Sequence, residues 1–182
     1  MRAVAIGGAF DDRGLPDRCP HPHQSGKAYF LLSLKDSQFT RRVYVRAVFA
    51  LIEGNINLMA DVILAASGRD EVALTTREAE ALRQERQITT EQGVDVTRVK
   101  FVPIRDRIVP VFSTFARMFE ERFLPDRSTS GWTDFIAAIE IRNRITHPKN
   151  AASFDISDND LGIVERAREW YAASIQALLA VC

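Results

Sequence analysis

The stretch Ile139-Glu140-Ile141-Arg142-Asn143-Arg144-Ile145-Thr146-His147-Pro148-Lys149 decides how this chain is read. It holds the only histidine outside the N-terminal tail, where His21 and His23 lie. Upstream, Trp132, Ile136 and Ile139 recur at i, i+4 and i+7, the stripe of a half-buried helix. The same stripe continues onto Arg142 and Asn143, so the sequence predicts a helix whose buried face turns polar in its last turn. A buried polar cluster costs free energy unless it is satisfied, and function is one common reason to keep it.

The spacing has geometric content. Asn143 and His147 are four apart and share a helix face. An amide there can hydrogen-bond one ring nitrogen and fix which nitrogen is free. Arg142, one position back, reaches the same cleft. Pro148 disfavours the α conformation at His147, so the helix should end at Thr146 or His147. The negative end of the helix dipole favours a protonated ring at that point. Together the three side chains can bind a phosphate and exchange a proton with it. The competing account is a C-capping histidine with solvated Arg and Lys neighbours.

The octapeptide Arg142-Asn143-Arg144-Ile145-Thr146-His147-Pro148-Lys149 resembles the RN-x-x-x-HP form of the Arg-His motif of the HEPN superfamily (higher eukaryotes and prokaryotes nucleotide-binding). The resemblance implies an all-α, four- to five-helix bundle, usually a homodimer, often a metal-independent endoribonuclease without cofactor. In that chemistry a base takes the 2′-hydroxyl proton and a cation holds the phosphate as charge builds. His147 is then the proton-transfer group, Arg142 the phosphate ligand and Asn143 the residue that orients His147. Arg144 and Lys149 would hold flanking phosphates. One Arg-His pair lacks a second acid, so two copies facing across a dimer would complete the site. Two other readings stay open. One is a non-catalytic module that binds nucleotide, RNA or a partner protein. The other is a toxin governed by an antitoxin protein. In one group of such toxins the motif ends in His-x-Tyr and the tyrosine is nucleotidylated. Here Lys149 follows Pro148, so that mode of control is not carried over.

The rest of the chain frames the motif. With 182 residues, 46% of them hydrophobic, it is large enough for one domain with a real core. The 24 basic and 24 acidic residues cancel, so any basic patch must be local. Cys19 and Cys182 imply no disulfide framework. The apolar run after Met1-Arg2 is too short for a secretory signal, and no segment reaches the length of a membrane span. The expectation is a cytoplasmic protein without membrane attachment or bound metal.

Residues 1–34 read as an irregular tail, with a strand or lead-in at Ala28–Leu34, and 35–182 as the bundle. The Cys19-Pro-His21-Pro-His23 spacing matches no zinc site. A first helix is predicted over Gln38–Ala66, roughly 40 Å long. It carries two apolar stripes, Phe39-Val43-Ala47-Ala50-Leu51-Gly54-Leu58-Val62 and Val45-Phe49-Ile52-Ile56-Met59-Ile63. Glu53 and Asn57 interrupt this surface. Glu53 is either an exposed edge or an accessory residue near the Arg-His cleft. Ser67 to Gly93 turns polar, with a Thr75/Glu78 capping box opening a charged helix to about Gln87. A second long helix is expected over Thr97–Phe123, kinked or divided at Pro110. The basic residues at its start, Arg98, Lys100, Arg105 and Arg107, read as a solvated face. After the motif helix and a loop, Ser157 caps a last helix with the stripe Leu161-Val164-Ala167-Tyr171-Ile175-Leu178-Cys182.

Overall fold

The computed structural model describes residues 36–182, apart from 90, 94 and 100, and residues Asp36–Cys182 form one compact unit. The N-terminal segment, with Cys19, His21, His23 and the expected lead-in at Ala28–Leu34, lies outside the described residues. The described residues form an all-α bundle of five helices, with a β-hairpin between the second and third.

Helix α1 spans Gln38–Ser67, capped by the Ser37 hydroxyl, which accepts from the Thr40 N–H. Of its two apolar stripes only one enters the core. Val45, Phe49, Ile52, Ile56 and Ile63 are buried, together with Val48 and Ala60. The other stripe, with Phe39, Val43, Leu51 (61% exposed), Leu58 (65%) and Val62, faces outward. The sequence expectation that no segment reaches a membrane span in length does not hold, because α1 has both the length and the apolarity. Its inner face owes that apolarity to the bundle core.

Helix α2, Thr76–Arg83, opens with the expected capping box. Thr75 Oγ1 accepts from the Glu78 N–H (3.2 Å), and Glu78 Oε2 accepts from the Thr75 N–H (2.8 Å). The helix stops short of Gln87. Gln84 turns left-handed (φ 54°), and strand β1, Glu85–Thr89, pairs antiparallel with β2, Asp95–Val99, in the register Glu85↔Val99. The polar insertion is therefore helix plus hairpin, not helix alone. Ile88, Thr89, Val96, Thr97 and Val99 are β-branched and fit a pleated surface better than a helix. Gly93 supplies the positive φ (75°) that the turn requires.

Helix α3 is Ile104–Arg117, shorter at both ends than the expected Thr97–Phe123. The strand takes residues up to Val99, and Pro103 occupies the capping position, where a missing N–H costs nothing. The helix runs unbroken across Pro110. The carbonyl this proline frees belongs to Asp106, an exposed residue, so solvent can satisfy it.

Helix α4, Ser130–Thr146, is the motif helix, and α5, Asp158–Val181, begins at the Ser157 cap. A 3₁₀ turn at Ala151–Phe154 lies between them. The contacts Gly131–Trp170, Asp134–Arg166 and Arg144–Asp160 run in opposite senses along the two helices, so α4 and α5 are antiparallel. The buried face of α4 is Phe135, Ala138, Ile139, Ile141 and Ile145, which keeps Ile139 of the stripe that the sequence suggests but is rotated away from Trp132 and Ile136, both half-buried. Its buried face therefore stays apolar to the end, and Arg142 and Asn143 lie half-buried beside it. Phe135 stacks with Trp132 (5.7 Å) and meets Trp170 (5.0 Å) and Phe49 (6.5 Å), joining α1, α4 and α5.

Two expected outcomes follow from this packing. A Cβ at Gly131 would lie 2.7–2.9 Å from Trp170 side-chain atoms, and that ring is wedged among aromatics. Gly131→Ala should lower stability by ~1–3 kcal/mol, the range for overpacking, read by urea unfolding. Glu78 holds α2 to α3 through Arg117 (3.0 Å), and this hydrogen bond pulls its carboxyl down to about 2. Its contribution is whole above the ordinary value of 4.5 and is lost as pH falls towards 2. The stability difference between the wild type and Glu78→Gln should shrink across that window, and unfolding at a series of pH values measures it.

Candidate functional site

The last turn of α4 presents Arg142, Asn143 and Arg144, and the chain leaves the helix at His147 (φ −124°, ψ 65°). The His147 N–H still donates to the Asn143 carbonyl (2.9 Å), and Pro148 prevents a further turn. Thr146 Oγ1 donates to the Arg142 carbonyl (2.7 Å), satisfying one of the orphan acceptors of the helix end.

Helix α1 crosses α4 here, and Glu53 meets Arg142. Arg142 Nη2 donates to Glu53 Oε1 at 2.5 Å, and both side chains are about one-third exposed or less. Arg142 Nη1 donates to Asn143 Oδ1 (3.1 Å). The Asn143 amide therefore orients Arg142, not the His147 ring as the spacing suggested. A charged donor makes the stronger hydrogen bond, so the guanidinium takes the amide oxygen. The His147 imidazole and Lys149 are exposed.

These groups open onto one cavity of about 860 Å³. Glu53, Arg142, Asn143, Arg144, His147 and Lys149 line it, together with Phe101, Pro103, Ile104 and Arg105. Glu53, an edge residue on one of the two sequence readings, is thus in the cleft. Arg144 behaves differently. It lines the same cavity as Arg142, but from a position about 200° round the helix, and its guanidinium is turned to other partners. The Arg144 guanidinium is committed to the Asp155 carbonyl (2.7 Å) and to Asp160 (3.0 Å), tying the start of α5 to α4. It is a structural clamp at the cavity's border rather than a free phosphate ligand.

Arg107 was read as part of a solvated basic face, yet it is only 7% exposed. Its Nη1 donates to Asn57 Oδ1 (2.8 Å), and its Nε is buried without a hydrogen-bond partner. Burial lowers its pKa, and the charges of Asp61 and Glu53 oppose that shift. A second cavity of about 130 Å³ joins Arg107 and Asn57 to Glu53, Arg142 and Phe101. The signal was in the sequence, because Arg107 is three residues after Ile104 and four before Val111, inside the buried stripe of α3. Phe101 carried no such periodic signal. Among the described residues no three His, Cys, Asp or Glu side chains converge as metal ligands would.

Comparisons with family models, with curated proteins and with solved structures find no match to this chain.

The arrangement offers a guanidinium preset by a carboxylate, an accessible imidazole, and Lys149 and Arg105 as flanking cations in one cavity. Arg144→Ala should lower the denaturation midpoint while leaving inorganic phosphate affinity at the cavity unchanged. Arg142→Ala should weaken phosphate binding, and isothermal titration alongside thermal melts separates the two effects.

Proposed function

We propose that this chain is a metal-independent endoribonuclease of HEPN type that works as a homodimer. The observation that carries the reading is the shared cavity of Arg142 and His147, with Lys149 and Arg105 on its rim and Glu53 behind the guanidinium. In the proposed step, His147 takes the proton of a ribose 2′-hydroxyl as that oxygen attacks the adjacent phosphorus. A new O2′–P bond forms, the P–O5′ bond breaks, and a protonated imidazole from a second copy delivers a proton to the departing 5′-oxygen. Arg142 holds the phosphoryl oxygens as their charge grows. To do so it exchanges Glu53 for the phosphodiester, which carries a single negative charge like the carboxylate and gains a second only as the 2′-oxygen adds, so the exchange favours the transition state over the ground state.

The homodimer has support of its own. The outer stripe of α1 is an apolar ribbon along a helix of 30 residues, interrupted by Asn57 and Asp61. Glu53 borders it on the same helix, so a second copy seated on the ribbon comes close to the cavity. A two-fold pair of ribbons is self-complementary by symmetry.

A non-catalytic binding module is favoured by a different observation. Arg142 is already neutralised by Glu53, and among the described residues no hydrogen bond holds the exposed His147 ring in one orientation. An antitoxin protein, on the toxin reading, is the other candidate to cover the α1 ribbon.

Purified protein should cleave RNA in EDTA and leave 2′,3′-cyclic phosphate ends. His147→Ala should abolish cleavage, and Arg142→Ala should slow it on the order of a hundredfold, as loss of an oxyanion donor does. Light scattering should give twice the chain mass, and Leu51→Glu with Leu58→Glu should return a monomer. Wild-type rates in His147→Ala would overturn the assignment, and failure of the wild type to cleave any RNA would leave the binding module.

A further inference from the structure

Phe101 lies between the end of β2 at Val99 and the start of α3 at Ile104. It is 76% exposed, and no aromatic ring among the described residues packs on it. Exposed phenylalanine is ordinary when scattered singly, but this one stands on a ridge. On one side is the cavity of Arg142 and His147, and on the other a concavity of about 620 Å³ lined by Arg77, Glu80 and Asp106. The backbone beneath the ring is anchored at both ends. Strand pairing holds Val99 to Glu85, and Pro103, with fixed φ (−54°), leads into the buried Ile104. The ring is therefore presented from a short, two-sided support.

Its neighbours specify what it could receive. Arg105 and Lys149 line the same cavity and are exposed cations, and Arg142 lies deeper. An aromatic face beside a cationic track is how proteins hold single-stranded nucleic acid, since the cations follow the phosphates and the ring stacks a base. We propose that Phe101 is the platform for an unpaired nucleobase of the strand whose phosphate sits at Arg142, and so a specificity-determining residue of the cavity. This rests on the nucleotide reading given above. It goes further by assigning a base subsite that favours single-stranded over duplex substrate, because a stacked, paired base has no free face to offer.

The test uses the full chain and a short, uncleavable 2′-O-methyl oligoribonucleotide, set against an abasic strand of equal length. The wild type should bind the base-bearing strand more tightly, and should bind it more tightly than the same strand annealed to its complement. Phe101→Ala should lose roughly 5- to 150-fold in affinity for the base-bearing strand, the range for one stacked base, and little for the abasic one. Phe101→Trp should keep the preference. Such an exposed side chain can be removed without unfolding the protein, and a thermal melt verifies it. Equal affinity of Phe101→Ala and the wild type for the base-bearing strand would overturn the platform and leave the Arg142 site standing. An equal loss for both strands, or dissociation of the dimer in light scattering, would overturn it by making Phe101 a structural or interface residue. A wild type that binds neither strand would overturn the platform and the nucleotide reading together.

Discussion

The burial of one face of α1 is the constraint on which the rest of this structure depends. Val45, Phe49, Ile52, Ile56 and Ile63 are each almost wholly removed from water, at roughly 1.5–3 kcal/mol per large aliphatic or aromatic side chain. Every other helix contacts α1. The aromatic group around Phe135 locks α4 and α5 onto it, and the Asn57–Arg107 hydrogen bond joins it to α3. The cavity exists because α1 and α4 cross where the apolar contact gives way to Glu53 and Arg142. Geometry there is set by hydrophobic packing, and the charged pair forms inside a frame already fixed.

That pair defines the electrostatics of the site. Glu53 sits between two guanidiniums, bonded to Arg142 and close enough to Arg107 for its charge to be felt there. A lone buried cation is costly, and one shared carboxylate with the Asn57 amide offsets part of that cost. Any anion that takes Arg142 from Glu53 leaves this carboxylate beside Arg107, whose Nε lacks a partner. The positive charge exposed to a ligand therefore depends on how Glu53 divides itself between two arginines.

How far the sequence could be read follows from which physics is local. Helix caps and periodicity act within a few residues, so Ser157, the Thr75/Glu78 box, the bounds of α1 and the end of α4 at His147 were all legible. The hairpin was not, because Glu85–Val99 is about as polar in proportion as its helical neighbour and only its β-branched content argued for strands. The rotated stripe of α4 was missed because two apolar rows overlap on that helix, and only the aromatic partners from α1 and α5 decide between them. Within the site, the nearness of Glu53 to Arg142 was an open alternative, whereas the engagement of Asn143 with Arg142 and of Arg144 with Asp160 depended on partners that spacing cannot supply. Phe101 belongs to a connecting segment, where no period marks a functional side chain.

The double apolar surface of α1 also shapes how the chain is made. The helix ends at Ser67, but its partners come from the four helices that follow, the last ending at Val181. At a synthesis rate of about 5–20 residues per second, roughly 5–20 s separate the emergence of α1 from that of α5. Through that interval both long faces of the helix are wet, the inner one awaiting its own chain and the outer one still exposed when the bundle closes. A helix wet on both faces is the kind of transiently exposed apolar surface that drives aggregation, so the interval before the bundle closes is as much a part of this helix's physics as its final packing.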